Sequence, residues 1–172
     1  MKIVAIGGSN SKVSINRRFA TYAAHQFSNA IVEVLDLNDF PMPLFSVDVE
    51  KEQGSPESVD VFLNKIEQAD FVVLSLAENN ASFNVGFKNV FDWCSRKNPK
   101  VFQGKPMLLM ATSPGKRGGA SVLEWGHKTL PFYGADIKAT FSLPSFNDNF
   151  DSEKGITNEA LKIELLTIIQ AL

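Results

Sequence analysis

Ile3-Val4-Ala5-Ile6-Gly7-Gly8-Ser9-Asn10-Ser11-Lys12-Val13-Ser14-Ile15-Asn16-Arg17 reads as a buried strand that breaks into a polar loop and then enters a helix. Four apolar residues without polar alternation suit a strand covered on both faces, the pattern of a parallel sheet. A helix start presents free backbone N–H groups and the positive end of the helix dipole, so the hydroxyls and amides crowded into this turn mark it as a place for an anion such as phosphate. A second run repeats the plan: Phe71-Val72-Val73-Leu74-Ser75-Leu76 passes into Ala77-Glu78-Asn79-Asn80-Ala81-Ser82 and then a helix. In a parallel sheet both turns emerge at one edge, where together they could hold one ligand.

Outward from these two runs, strand-length apolar stretches recur at Ala30 to Leu35, Met107 to Ala111 and Ile137 to Phe141, with the first strand covering Lys2 to Ile6. Helical spacing separates them. Ile15, Phe19, Tyr22 and Ala23 share a face, and Val59, Leu63 and Ile66 follow Pro56 at a helix front. Phe83, Phe87, Val90, Phe91 and Cys94 form a third stripe, stopped by Asn98-Pro99. In the last helix Leu161, Leu165, Ile168 and Leu172 repeat, with Thr157 as N-cap and Ile156 with Leu161 as a hydrophobic staple. Strands alternating with helices predict a doubly wound α/β fold: a five-stranded parallel sheet in the flavodoxin-like order 2-1-3-4-5, helices on both faces, and a single domain over residues 1–172. Two long loops are expected, Asp39 to Ser55 and Ser142 to Gly155.

Composition narrows the function classes. With 172 residues, 44% of them hydrophobic, the chain can build a core without disulfides, and the single Cys94 excludes a cysteine framework or multi-cysteine metal site. A net charge of -2 with scattered Lys and Arg residues offers no field for nucleic acid. The amino terminus runs straight into a strand, and no apolar run is long enough to span a bilayer, so a soluble, cytoplasmic protein is expected.

In the leading turn Ser9, Ser11, Ser14 and Asn16 can donate to phosphate oxygens and Lys12 or Arg17 can add charge; alternatively Ser14 only caps a helix and the rest is a polar turn. Gly7-Gly8 lacks the Gly-x-Gly-x-x-Gly pattern, and no P-loop Gly-Lys-Ser/Thr is present, which favours a terminal phosphomonoester over a pyrophosphate. Glu78-Asn79-Asn80 offers groups that could read the edge of a flat heterocycle, or forms a surface turn, with Ser82 or a neighbour capping the helix that follows. A third turn, Thr112-Ser113-Pro114-Gly115-Lys116-Arg117-Gly118-Gly119, lies at the same sheet edge; its glycines let backbone approach a ring closely and Ser121 is available as a cap. His25 and His127 have no metal-like partners at local spacing and read as helix-surface residues. Cys94 lies in an apolar helical stripe rather than an anion-binding loop, which argues against a low-molecular-weight phosphatase. Trp93 or Trp125 could face another subunit.

Gly8-Ser9 with Ser14-Ile15-Asn16-Arg17, Ala77-Glu78-Asn79-Asn80-Ala81-Ser82, Phe87-Lys88-Asn89-Val90-Phe91-Asp92-Trp93, Gly104-Lys105-Pro106, and Ser113-Pro114-Gly115 with Gly118-Gly119 occur in an order that resembles the NADPH-dependent FMN reductase family across nearly the whole chain. The Lys88-Asn89 to Asp92-Trp93 segment is the most specific part. The resemblance implies non-covalent FMN at the strand ends. Ser9, Ser11, Ser14, Ile15, Asn16 and Arg17 would surround the phosphate. Ala77, Glu78, Asn79 and Asn80 would border the isoalloxazine, and Ser113, Gly115 and Gly118 would close its other side. It further implies NADPH or NADH as co-substrate, a quinone, flavin, azo or metal acceptor, and a homodimer or homotetramer. Ser11 stands where many members have Arg, Ala77 where Pro is usual and Asn79 where Tyr is usual. Two other readings share the fold: a flavodoxin-type FMN electron carrier that takes no hydride itself, and a flavin-free interaction protein.

Overall fold

Unbroken apolar runs become the central strands of a parallel sheet in the computed structural model, which describes residues 1–172. The elements are β1 (Lys2–Gly8), α1 (Ile15–Ala24), β2 (Ile31–Leu35), α2 (Val47–Gln53), α3 (Glu57–Glu67), β3 (Phe71–Asn79), β4 (Ser82–Phe83), α4 (Val85–Lys97), β5 (Pro106–Thr112), α5 (Ala120–Thr129), β6 (Asp136–Leu143), α6 (Phe146–Asn149), β7 (Phe150–Asp151), β8 (Gly155–Ile156) and α7 (Glu159–Gln170). Short 3-10 turns follow β2 and α5. The long strands are all parallel in the order β2-β1-β3-β5-β6. Leaving out the two-residue β4, this is the expected 2-1-3-4-5 arrangement.

Strand alternation divides the core into two layers. Val4, Ile6, Val72, Leu74, Leu76, Met107 and Leu109 meet Val59, Ile66, Phe87, Phe91 and Val122 of α3, α4 and α5. Ile3, Ala5, Val73, Leu108, Met110 and Phe141 meet Phe19, Ala20 and Ala23 of α1 and Leu165 and Ile169 of α7. Because both faces are covered, the central strands carry almost no polar side chains. No helix is long and apolar enough to cross a membrane.

Several local expectations are corrected. β3 runs on to Asn79 and turns back through β4, so Phe83 belongs to a strand; it packs on Phe87 with ring centroids 5.4 Å apart. Of Ser82 and its neighbours, it is Asn84 that caps α4. Asn158, not Thr157, caps α7. The segment read as one loop from Asp39 to Ser55 contains α2, capped by Ser46 and ended by Gly54 with φ 74°. The Ser142 to Gly155 segment holds the end of β6, α6 and a small ribbon of β7 with β8. Trp93 is fully buried and donates from Nε1 to the Pro43 carbonyl at 2.8 Å, so it faces the core and not a subunit.

Candidate functional site

The leading turn begins where β1 can bring α1 unusually close. A Cβ on Gly7 would lie 2.4 Å from the Arg17 backbone nitrogen, so only glycine lets the first turn of the helix press against the strand end. Within the turn, Ser11 N–H donates to Ser9 Oγ at 3.1 Å and Arg17 N–H donates to Ser14 Oγ at 3.1 Å. Ser14 is therefore the N-cap of α1. A hydroxyl that accepts from the backbone keeps its own proton for an outside acceptor. The N–H groups of Ile15 and Asn16, at the first two helical positions, lack intrahelical partners, and no loop carbonyl takes them.

The Asn16 side chain has another task. It is buried, its Nδ2 donates to the Thr112 carbonyl at 3.2 Å, and its Oδ1 accepts from Thr112 N–H at 3.1 Å and Ser75 Oγ–H at 2.7 Å. That triple bond set ties α1 to the middle of β3 and the end of β5. The guanidinium of Arg17 also turns away, pairing with Asp36 and donating to the Lys12 carbonyl at 2.8 Å. Neither a Lys nor an Arg lines the cleft that the turn borders.

The second turn is a two-residue hairpin between β3 and β4, with Asn80 and Ala81 in the left-handed region at φ 50° and 60°. Asn80 is at its exposed tip. Asn79 Oδ1 accepts from Asn84 Nδ2 at 2.9 Å, while Asn84 Oδ1 accepts from Gly86 N–H at 2.9 Å to cap α4. Glu78 Oε2 accepts from Val122 N–H at 3.0 Å, reaching across to α5.

The third turn leans on the exit of β6. Ser145 N–H donates to the Gly115 carbonyl at 2.9 Å, Phe146 N–H to that of Ser113 at 3.0 Å, and Ser142 Oγ–H to that of Gly118 at 3.0 Å. A Cβ on Gly118 would come within 2.4 Å of Ser142 Oγ. Gly115 and Gly118 thus serve the contact behind the turn. Ser121, expected as a cap, instead accepts from Arg117 at 2.8 Å.

The three turns converge on a cleft of about 280 Å3 lined by Ser9, Ser11, Ser14, Ile15 and Asn16, by Ala77, Glu78 and Asn79, and by Ser113. Arg17, Asn80, Gly115 and Gly118 stand outside its lining. Asn10, Val13, Asn84, Thr112 and Pro114 line it although the sequence reading did not single them out for the site. Asn84 had a legible signal, as a capping residue type just before an aromatic helical stripe; Asn10 had none, since its close approach to Gly86, where a Cβ would meet Asn10 Cβ at 2.6 Å, exists only in the folded chain. A larger cavity of about 480 Å3 lies away from the strand ends, between α1, β2 and the β7–β8 ribbon. It offers none of the unpaired helix-start N–H groups and stands away from the edge where the three turns meet, which makes the smaller rim cleft the better candidate. Cys94 is fully buried and burial pushes its thiol up to about 12, so it supplies no thiolate to either.

Sequence comparison places this geometry among known proteins. The family model described as NADPH-dependent FMN reductase matches residues 1–148. A quinone reductase of Escherichia coli is 35% identical over 125 residues, covering 70% of this chain, and the matched stretch spans 64% of that enzyme's length. An NADPH:quinone oxidoreductase of Arabidopsis thaliana is 28% identical, covering 100% of this chain and 90% of the plant protein. Among solved structures, the flavoenzyme NAD(P)H:(acceptor) oxidoreductase FerB of Paracoccus denitrificans superposes with a TM-score of 0.78 at 24% identity, covering 99% of this chain and 93% of that one, a likeness of fold.

Proposed function

Because the chain belongs to the NADPH-dependent FMN reductase family, we propose that it holds FMN along the rim cleft and uses NAD(P)H to reduce a small-molecule acceptor, either a quinone, a flavin or an azo compound. The observation that carries this reading is the donor set of the leading turn. Three hydroxyls and two unpaired helix-start N–H groups face one small volume, and the Ser9 and Ser14 oxygens already accept from the backbone. Such a set suits a terminal phosphate, aided by the dipole of α1.

When bound, FMN supplies the redox chemistry, accepting a hydride from the nicotinamide and passing electrons onward. The chain's work is to hold and orient. Ser9, Ser11 and Ser14, with the backbone of Ile15 and Asn16, grip the phosphate, and Asn16 through its side chain keeps that turn fixed to the sheet. Arg17 acts at one remove, bracing the loop through the Lys12 carbonyl. Ala77, Glu78 and Asn79 would border the ring on one side and Ser113 and Pro114 on the other. No side chain is required as acid or base. We propose a cytoplasmic homodimer or homotetramer; the oligomer is supported by Trp125 and Phe132, large apolar side chains that are 55% and 76% exposed.

The test is an absorbance spectrum of the native protein, repeated after adding FMN, then anaerobic titration with NADPH and with NADH and steady-state turnover with a quinone. We expect a flavin spectrum that bleaches with a nicotinamide and recovers with the quinone. Failure to bind flavin would sink the reading; flavin bound but untouched by either nicotinamide would replace it with an electron carrier.

A further inference from the structure

Glu78 occupies a strand position whose neighbours on the same face are apolar. Side chains alternate along β3, and Val72, Leu74 and Leu76, which share the face of Glu78, are all buried in the layer that includes α3, α4 and α5. A carboxylate at the end of such a row needs a partner. It finds one at the start of α5, where Val122 N–H is among the first-turn donors that a helix cannot satisfy itself. The helix brings no cap of its own. Gly119 at the cap position is left-handed, with φ 76° and no side chain, and Ser121 is engaged by Arg117. The other two helices that open on the rim are each capped from their own loop, α1 by Ser14 and α4 by Asn84. For α5 the cap comes from a strand 44 residues earlier.

The location of this bond matters more than its chemistry. The ladder between β3 and β5 ends at the Ala77–Thr112 pair. Beyond it, Glu78 to Val122 is the one hydrogen bond joining the β3–β4 hairpin to the segment that runs from the third turn into α5. The hairpin is anchored otherwise through its own pairing and the α4 cap, and the third turn through the exit of β6. Without the strut no hydrogen bond joins the two walls at this end of the cleft, and what remains between them is the apolar packing that Leu76 and Phe83 share with Val122.

We propose that Glu78 is a positioning residue: its carboxylate caps α5 from across the rim and so sets the spacing between the Asn79–Ala81 hairpin and the Ser113–Gly119 turn, the slot that receives the flavin ring. This rests on the reading of the cleft as an FMN site. Any effect of the strut belongs to the ring end and not to the phosphate end of the ligand.

The experiment compares wild type, Glu78→Ala and Glu78→Gln as flavin-free proteins, titrated with FMN and with riboflavin by fluorescence quenching, alongside hydrogen exchange at the Val122 amide. Loss of a capping hydrogen bond is expected to weaken FMN about tenfold in Glu78→Ala, to weaken riboflavin by the same factor, and to speed Val122 exchange. Glu78→Gln keeps an acceptor oxygen and should restore Val122 protection and most of the affinity. Unchanged affinity in Glu78→Ala, a loss confined to FMN, or a Gln variant as impaired as the Ala variant would each overturn the proposal. If wild type binds neither flavin, the FMN reading fails, and Val122 exchange alone decides the strut: faster in Glu78→Ala and restored in Glu78→Gln supports it, no change overturns it.

Discussion

Asn16 does for the rim what another strand would do: its amide satisfies both the N–H and the carbonyl of Thr112, and its oxygen also takes the Ser75 hydroxyl. Ser75 and Thr112 are themselves buried, at 0% and 1% exposure, so no water can replace these bonds. Replacing Asn16 with Ala strands three polar groups at once, and we expect about 2–4 kcal/mol of lost stability, read as a lower urea midpoint at unchanged slope. Ser9→Ala, which removes a hydroxyl whose one bond within the chain is the one accepted from Ser11 N–H, should stay within about 1 kcal/mol of wild type while weakening FMN. An Asn16→Ala protein as stable as wild type would refute the brace. The polar turn and the helix start after β1 were legible, because hydroxyls and amides crowd there directly after an apolar run, and Ser14 does cap α1. The division of labour among them was not: Asn16 is bonded to a residue 96 positions away, and Arg17 to Asp36 at the end of β2, contacts that exist only once the sheet has formed.

Caps and clamps decide how each element is seated. At α7, Thr157 and Asn158 are both good capping types and adjacent, so sequence alone allows either; the choice is made outside the helix. Thr157 N–H donates to the Asn149 carbonyl at 2.9 Å beside the β7–β8 ribbon, which commits Thr157 to the ribbon and leaves Asn158 to accept from Leu161 N–H at 3.2 Å. Asn158→Ala should therefore lower stability by about 1 kcal/mol and Thr157→Ala by about half that or less, a ranking that thermal unfolding of the two variants checks. α2 escaped the sequence reading for a related reason. None of its residues is buried, so it has no apolar stripe to announce a helix, and only Ser46 and Gly54 mark its ends. The Lys88-Asn89 to Asp92-Trp93 segment, by contrast, acquires a physical meaning. Asn89 accepts from Phe45 N–H at 2.8 Å and donates to the Pro43 carbonyl at 3.0 Å, and Trp93, one turn on, donates to the same carbonyl. One face of α4 thus clamps the loop after β2 beside the rim.

At the scale of the whole molecule, sheet order and the two core layers were readable because they depend on runs of apolar residues and on right-handed crossovers, both local or generic. The ties at the sheet's edge were not, since they join charges from separate elements. Glu33 on β2 pairs with Lys65 of α3 at 2.5 Å and with Lys2 of β1 at 3.2 Å, linking the edge strand to its neighbour and to a covering helix. The hydrogen bond from Lys65 chiefly, then that from Lys2, hold the Glu33 carboxyl below its ordinary value of 4.5 against some desolvation. A carboxyl with a depressed folded-state pKa binds its proton more readily in the unfolded chain, so its contribution is fully present above the ordinary value and disappears as pH falls through the folded one. Part of each side chain is in solvent, which limits the pair to about 0.2–1 kcal/mol. Glu33→Gln should accordingly be less stable than wild type by about 0.2–1 kcal/mol at pH 7, with the gap closing as pH falls through the lowered Glu33 pKa and wild type loses the charge that the Gln variant never carries. Paired urea titrations from pH 3 to pH 7 measure the gap directly. A difference that stayed constant across that range would mean that Glu33 acts through packing, and that the edge strand is held by its backbone ladder to β1 alone.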